Sequence, residues 1–192
     1  EDGLCNNYIS CCAQDAYGFM WFGTRTGLNR FNSKTFYMFP EASLLVSNNI
    51  YDIEKSPTGE MWVSTEKGLQ KYDYQTNTFN LIDFTEGISC YSLQFDQKGN
   101  LWMLQYGRSL VKYDKESNTH TNYMYKDGKP IVAFTITPQD DIWAATANGD
   151  IVFMDKNHKE LVSMGITPIK DISTIWASPQ DNLLLIGTID NG

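Results

Sequence analysis

The sequence predicts an all-β chain of four-stranded antiparallel blades, an incomplete β-propeller, and three observations predict it. A stretch running from Asp15 to Phe31 recurs at Ser56–Asp73, Asp96–Asp114, Thr137–Asp155 and Ser178–Thr188. Trp21, Trp62, Trp102, Trp143 and Leu184 mark the copies, at steps of 41, 40, 41 and 41 residues. Each copy also breaks into short apolar runs separated by Gly, Asn, Asp and Ser, which is turn chemistry, and no run is long enough for a helix. A period of about 40 to 45 residues with several such runs is that of propeller blades.

In the first blade, residues 8–40, strand A is Tyr8–Gln14, B is Phe19–Thr24, C is Leu28–Phe31 and D is Phe36–Phe39. The second, 49–83, repeats this over Ile50–Lys55, Met61–Thr65, Leu69–Tyr72 and Thr78–Ile82. The third, 89–125, uses Cys90–Phe95, Leu101–Gln105, Leu110–Tyr113 and Thr119–Tyr125, with an extra residue after Tyr106. The fourth, 130–165, uses Ile131–Thr137, Ile142–Thr146, Ile151–Met154 and Glu160–Met164. The fifth, 171–192, has only Ile172–Ala177 and Leu183–Thr188. A propeller removes its exposed sheet edges by closing into a ring. Four and a half blades are therefore expected to be the N-terminal part of one propeller domain in a longer chain.

The 192 residues are 42% hydrophobic and 14% aromatic, enough for a sizeable core and unlike a disordered chain. A formal net charge of -8 without any Lys/Arg stripe excludes nucleic acid as a partner of this segment. No run reaches the roughly 18 apolar residues of a membrane span, and no basic-then-apolar leader opens the chain. The segment is either cytosolic or follows an export signal. Cys5, Cys11, Cys12 and Cys90 fit no metal-ligand spacing. They read as buried or half-buried thiols, with a disulfide through Cys5 as the alternative; neither metal nor cofactor is expected.

Trp21, Trp62, Trp102 and Trp143 have a packing explanation. An indole on strand B of each blade fills the space between successive sheets, and burying its 150 to 250 Å² is worth about 4 to 6 kcal/mol. Gly27, Gly68 and Gly149, six residues after their tryptophans, supply positive φ in the B–C turn. A binding site rarely needs one residue in every blade, so repetition itself favours structural roles for all seven.

In a propeller strand A lines the channel, and the D–A connections and B–C turns emerge on one face, where loops on a rigid scaffold carry binding groups. That face offers Asn7, Tyr8 and Arg25 in the first blade and Asn48, Asn49, Glu66 and Lys67 in the second. The third adds Ser89, Tyr106 and Arg108, the fourth Asn148 and Asp150, and the fifth Asp171 and Asp190. Amide, carboxylate and guanidinium groups match sugar hydroxyls, and an aromatic ring matches a sugar's apolar face. Such groups suit a sugar, although each residue taken singly also reads as a solvated turn residue. Trp176 breaks the pattern: it holds the strand-A position of Ala13, Glu54, Gln94 and Thr135, and either lines the channel or fills a gap against a next blade.

Glu1-Asp2-Gly3-Leu4, Asn7-Tyr8-Ile9, Gln14-Asp15, Gly18-Phe19-Met20-Trp21-Phe22-Gly23-Thr24 and Gly27-Leu28-Asn29-Arg30-Phe31 closely resemble one family's opening. It is the extracytoplasmic sensor region of hybrid two-component system proteins of Bacteroides-like bacteria, whose two-component regulator propeller repeats build seven-bladed propellers. The resemblance covers all five repeats. Ser64, Leu104-Gln105, Ala145 and the missing fifth tryptophan depart from the motif. The resemblance implies a periplasmic receptor domain that senses oligosaccharides released from complex glycans and regulates glycan-utilisation genes. Histidine kinase, receiver and DNA-binding regulator would lie elsewhere in such a receptor, beyond a membrane helix. The implied partners are the remaining blades, the downstream domains and a second copy in a homodimer, with the membrane reached only through the downstream part.

An enzyme is the competing class, because the repeat is also similar to that of streptogramin-lyase-like propellers. His120 and His158, the two histidines, fall near C–D turns on the face opposite the candidate site. No nucleophile elbow, metal-ligand spacing or phosphate loop accompanies them. Binding rather than catalysis is expected. A protein-interaction propeller without a small ligand is the third class, and the acidic surface permits it equally.

Overall fold

The computed structural model describes residues 3–40, 43–106, 109–157, 160–166, 169–178 and 183–189. Among the described residues eighteen strands fall in chain order into antiparallel meanders. The first sheet is β1 (Ile9–Gln14), β2 (Met20–Thr24), β3 (Leu28–Phe31) and β4 (Phe36–Met38). The second is β5 (Ile50–Lys55), β6 (Met61–Thr65), β7 (Gly68–Asp73) and β8 (Thr78–Leu81). The third is β9 (Cys90–Phe95), β10 (Leu101–Gln105), β11 (Leu110–Asp114) and β12 (Thr119–Tyr123). The fourth is β13 (Ile131–Ile136), β14 (Ile142–Thr146), β15 (Asp150–Met154) and β16 (Val162–Ile166). β17 (Ile172–Ala177) and β18 (Leu184–Thr188) pair as a two-stranded sheet. No strand boundary departs from its sequence expectation by more than two residues. No helix among the described residues is long and apolar enough to cross a membrane.

The chain divides into two compact units, Glu1–Leu93 and Gln94–Gly192, with the division falling inside β9. In unit 1 the core gathers Trp21, Leu28 and Phe39 of the first repeat with Ile50, Ile53, Met61, Val63, Tyr72 and Phe79 of the second. β6 is buried along its whole length, which an interior strand covered on both faces requires. Trp21 is fully buried, edge-on to Tyr72 at 4.9 Å and tilted against Phe39 at 5.0 Å. In unit 2 a smaller cluster joins Ala133, Ala145 and Ile151 to Ile172 and Ile175, with Trp143 half-buried at its margin on Phe153. Trp62 and Trp102 are buried as deeply as the packing argument requires, whereas Trp143 keeps part of its ring exposed.

Strand A carries a bulge in four sheets, between Ile9 and Cys11, Ile50 and Asp52, Ile131 and Ala133, and Ile172 and Thr174. The bulged residue is turned out of the ladder, and Ser10 uses that freedom to donate from Oγ to the carbonyls of Gly23 at 3.0 Å and Ile50 at 2.8 Å, stitching sheet one to sheet two. Connector segments repeat as well. Cys5 N–H donates to Asn29 Oδ1 and Asn29 Nδ2 to the Gly3 carbonyl, while Val46 N–H donates to Gln70 Oε1 and Gln70 Nε2 to the Leu44 carbonyl. Gly3 and Leu44 share a positive φ, 86° and 62°. Residues 3–5 and 44–46 thus make the same pair of contacts one repeat apart.

The register pairs Trp21 with Ala13, Trp62 with Glu54 and Trp143 with Thr135, and it pairs Trp176 with Leu185. Leu185, not Leu184, therefore holds the tryptophan position of the fifth repeat. The cause lies in the A–B turn, where Ser178 N–H donates to the carbonyl of Leu183, one residue further on than Thr137 reaches to Asp141.

Candidate ligand-binding face

In unit 1 the structure brings Tyr8 and Arg25 together. Tyr8 is 61% exposed and the Arg25 guanidinium lies over its ring, 5.0 Å from the centroid. Both ends of the pair are placed by backbone: Tyr8 N–H is held by Asn6 Oδ1 at 2.7 Å, and the turn after Arg25 by Thr26 Oγ1 donating to the Cys5 carbonyl at 3.0 Å. Asn7 is exposed beside them. A guanidinium stacked on a ring keeps its in-plane N–H groups free to donate, and the ring keeps its other face for an apolar surface.

A groove of about 600 Å³ is lined by Thr26, the chain neighbour of Arg25, with Gly27, Asn48, Glu66 and Lys67 and the apolar Phe39 and Val46. The Glu66–Lys67 turn is pinned from both sides, Glu66 N–H donating to the Asn49 carbonyl and Gly87 N–H to the Lys67 carbonyl. Ser89 Oγ adds a bond to the Glu66 carbonyl at 2.9 Å. Asn49 and Ser89 therefore hold the turn, while the Glu66 and Lys67 side chains stand exposed. Gly68 ends this turn at φ 144°, where a Cβ would lie 2.7 Å from Leu81 Cδ1. Gly27 and Gly149 have φ of 153° and 86° at the matching turns.

Unit 2 carries the other candidates. Tyr106 is 79% exposed, Asn148 is exposed in the turn closed by Gly149 N–H donating to the Thr146 carbonyl, and Asp171 is exposed at φ 58°. Trp176 is 49% exposed on β17. Arg108 and Asp190 lie outside the described residues, as does His158; His120 is exposed on β12. Asp150 departs from expectation: it is 3% exposed, with Lys129 Nζ at 2.9 Å and Thr146 Oγ1 at 3.2 Å from its Oδ2. The ion pair ties a connector to the B–C turn and removes Asp150 from the set that meets solvent. Among the described residues no group of three or more His, Cys, Asp or Glu could hold a metal ion.

Two features escaped the sequence reading. Asp15 Oδ1 accepts Tyr17 and Phe19 N–H, and its Oδ2 accepts the Trp21 indole N–H at 2.9 Å and the Tyr74 hydroxyl at 3.1 Å. The six-residue Asp-to-Trp spacing, present again at Asp96 and Trp102, was the available signal. The second is an acidic patch on β5. Asp52 Oδ2 accepts Leu93 N–H at 2.7 Å, and burial pushes its carboxyl above the usual range. Burial, then the charge of Asp52, pushes Glu54 up to about 7, and burial with Asp52 pushes the Cys11 thiol up to about 12. Two carboxylates two apart in an apolar strand were the visible sign.

Residues 3–26 match the family model described as Two component regulator propeller. The fold matches the extracellular domain assigned to a hybrid two component system of B. thetaiotaomicron, with a TM-score of 0.81 and 21% identity over 97% of this chain and 28% of that one. A second extracellular domain from that organism, assigned to a one component system, gives a TM-score of 0.81 and 19% identity over 98% of this chain and 27% of that one. Virginiamycin B lyase from Staphylococcus aureus gives 0.72 and 14% identity over 98% of this chain and 73% of that one. No curated protein matches the chain. The sheets and these matches define an all-β chain of propeller blades, four of them four-stranded, and residues 3–26 carry a two component regulator propeller repeat. The chain spans just over a quarter of the two extracellular domains it resembles.

Proposed function

We propose that this chain is part of the ligand-sensing extracytoplasmic domain of a hybrid two-component receptor, that it lies in the periplasm, and that it binds an oligosaccharide whose presence switches genes for glycan use. The observation that carries this reading is the exposed Tyr8–Arg25 stack beside the groove holding Asn48, Glu66 and Lys67. It offers a stacking surface and several polar donors and acceptors on turns fixed by the scaffold, which is what a sugar needs. The family description of residues 3–26 and the fold shared with extracellular domains of two component systems support the cellular role. Asn7, Asn49 and Lys67 extend the surface in unit 1, and Tyr106, Asn148, Asp171 and Trp176 offer groups of the same kind in unit 2. The role is binding, with kinase chemistry elsewhere in the receptor. The ligand acts by favouring one of two receptor arrangements that differ in affinity for it.

Calorimetric titration of an ectodomain carrying this chain against a panel of glycan oligosaccharides tests the reading. One glycan is expected to give saturable heat. Arg25→Ala and Tyr106→Ala are expected to weaken it with almost no change in melting temperature, because exposed substitutions alter stability by only about 0.5 kcal/mol. Silence across the panel overturns the sugar reading in favour of a protein partner.

A further inference from the structure

A space that two tyrosines fill in unit 1 is open in unit 2. Tyr17 packs edge-on against Tyr74 at 4.9 Å, and the Tyr74 hydroxyl reaches Asp15. By repeat register Tyr17 corresponds to Lys98, each preceding the turn glycine Gly18 or Gly99, and Tyr74 corresponds to Lys156, each following the C–D turn aspartate Asp73 or Asp155. Around Asp96 and Trp102 two rings are thus exchanged for two ammonium groups, and a pocket of about 420 Å³ remains.

Lys98, Lys112 and Lys156 line that pocket together with Asp96 and Asp140. Both carboxylates are already engaged. Asp96 is 7% exposed and accepts the Trp102 indole, the Asn100 amide and the Lys98 and Asn100 backbone N–H groups; Asp140 Oδ1 accepts Gln97 N–H at 2.8 Å. Lys112 Nζ stands 3.9 Å from Asp96 and 5.5 Å over the indole. Among the described residues neither Lys98 nor Lys156 makes an ion pair. The lining carries three ammonium groups against two carboxylates, an excess of one positive charge, and an oxyanion placed among the ammonium groups gains charge-assisted hydrogen bonds.

We propose that this pocket is an oxyanion site, taking a phosphate, sulfate or carboxylate group between Lys98 and Lys156 with Lys112 behind it. It does not depend on the sugar-binding reading of the D–A connections and B–C turns. Titrating a ¹⁵N-labelled ectodomain carrying this chain with inorganic phosphate, sulfate or glucuronate at constant ionic strength, with chloride as control, tests it. Saturable shifts are expected at the amides of Gln97–Asn100 and of Lys156 and Asn157; a response to glucuronate alone identifies a sugar acid, a response to the inorganic ions a free anion. Lys98→Tyr with Lys156→Tyr rebuilds the unit 1 ring pair and is expected to abolish the response. Lys98→Gln with Lys156→Gln, which removes charge without filling space, is expected to weaken it about tenfold or more. Equal shifts with chloride, shifts that never saturate, or binding that survives the glutamine pair would overturn the site.

Discussion

The indole N–H of Trp21 and the carboxylate of Asp15 meet at 2.9 Å across the A–B turn, and Trp102 and Asp96 repeat the bond at 3.1 Å. One carboxylate thereby closes a turn with one oxygen and fixes a core ring with the other. Strand C completes the anchor: Arg30, Lys71 and Lys112 are the cross-strand partners of Trp21, Trp62 and Trp102, with their cations 5.9, 5.9 and 5.5 Å from the ring centroids. In the fourth repeat Phe153 takes the cation's place, 4.8 Å from Trp143.

Asp15→Ala removes the acceptor for four donors, two of them backbone N–H groups in the turn and two on Trp21 and Tyr74. A buried donor left without a partner costs about 1 to 3 kcal/mol, and the outward-facing turn amides recover water. The variant is expected to lose about 3 kcal/mol of unfolding free energy in urea, and Asp15→Asn, which keeps one acceptor oxygen, less. A loss below about 1 kcal/mol for the alanine variant would show that the turn closes without the carboxylate.

Gly23 is required by crowding. A Cβ there would lie 2.5 Å from Cys11 Sγ and 2.6 Å from Ile50 Cγ2, where sheet one meets sheet two. Gly23→Ala is expected to lower stability by about 1 to 3 kcal/mol through overpacking. Adding Cys11→Ala, which removes one of the two obstructing atoms, is expected to recover part of that loss. A double variant whose cost equals the sum of the two single costs would sink the explanation.

The repeat was legible because it is written in residue types: Trp21, Gly23, Thr24 and Gly27 announce their turns and their burial. The bulges at Ser10, Tyr51, Val132 and Ser173 were not, since any side chain tolerates a bulge and the ladder alone reveals it. The shift from Leu184 to Leu185 was legible in principle, because Gly187-Thr188 fixes the end of the strand as firmly as Gly23-Thr24 does. Counting from the Asp181 side of a turn of variable length hid it. Of the candidate face, Tyr8 and Arg25 met because two connectors converge, whereas Asp150 went inward to Lys129, a pairing set by three-dimensional reach across twenty-one residues.

Glu54 gives the chain a pH dependence of definite sign. Its folded value of about 7 stands above the ordinary 4.5, so between those values the folded state holds a proton that the unfolded chain has released. Stability contributed by the protonated form is complete below pH 4.5, falls as the pH rises toward 7, and is gone above it. The raised value of Asp52, also from burial, acts in the same direction. Asp73 and Asp114, held below the usual range by turn hydrogen bonds, act with opposite sign but only at lower pH. Glu54→Gln cannot ionise, and it is expected to be more stable than the parent at pH 8 by roughly 2 kcal/mol, discounted for the partial exposure of the site, with no advantage at pH 4. Urea unfolding of both proteins at the two pH values checks this; a difference independent of pH would place the effect in packing rather than in the proton.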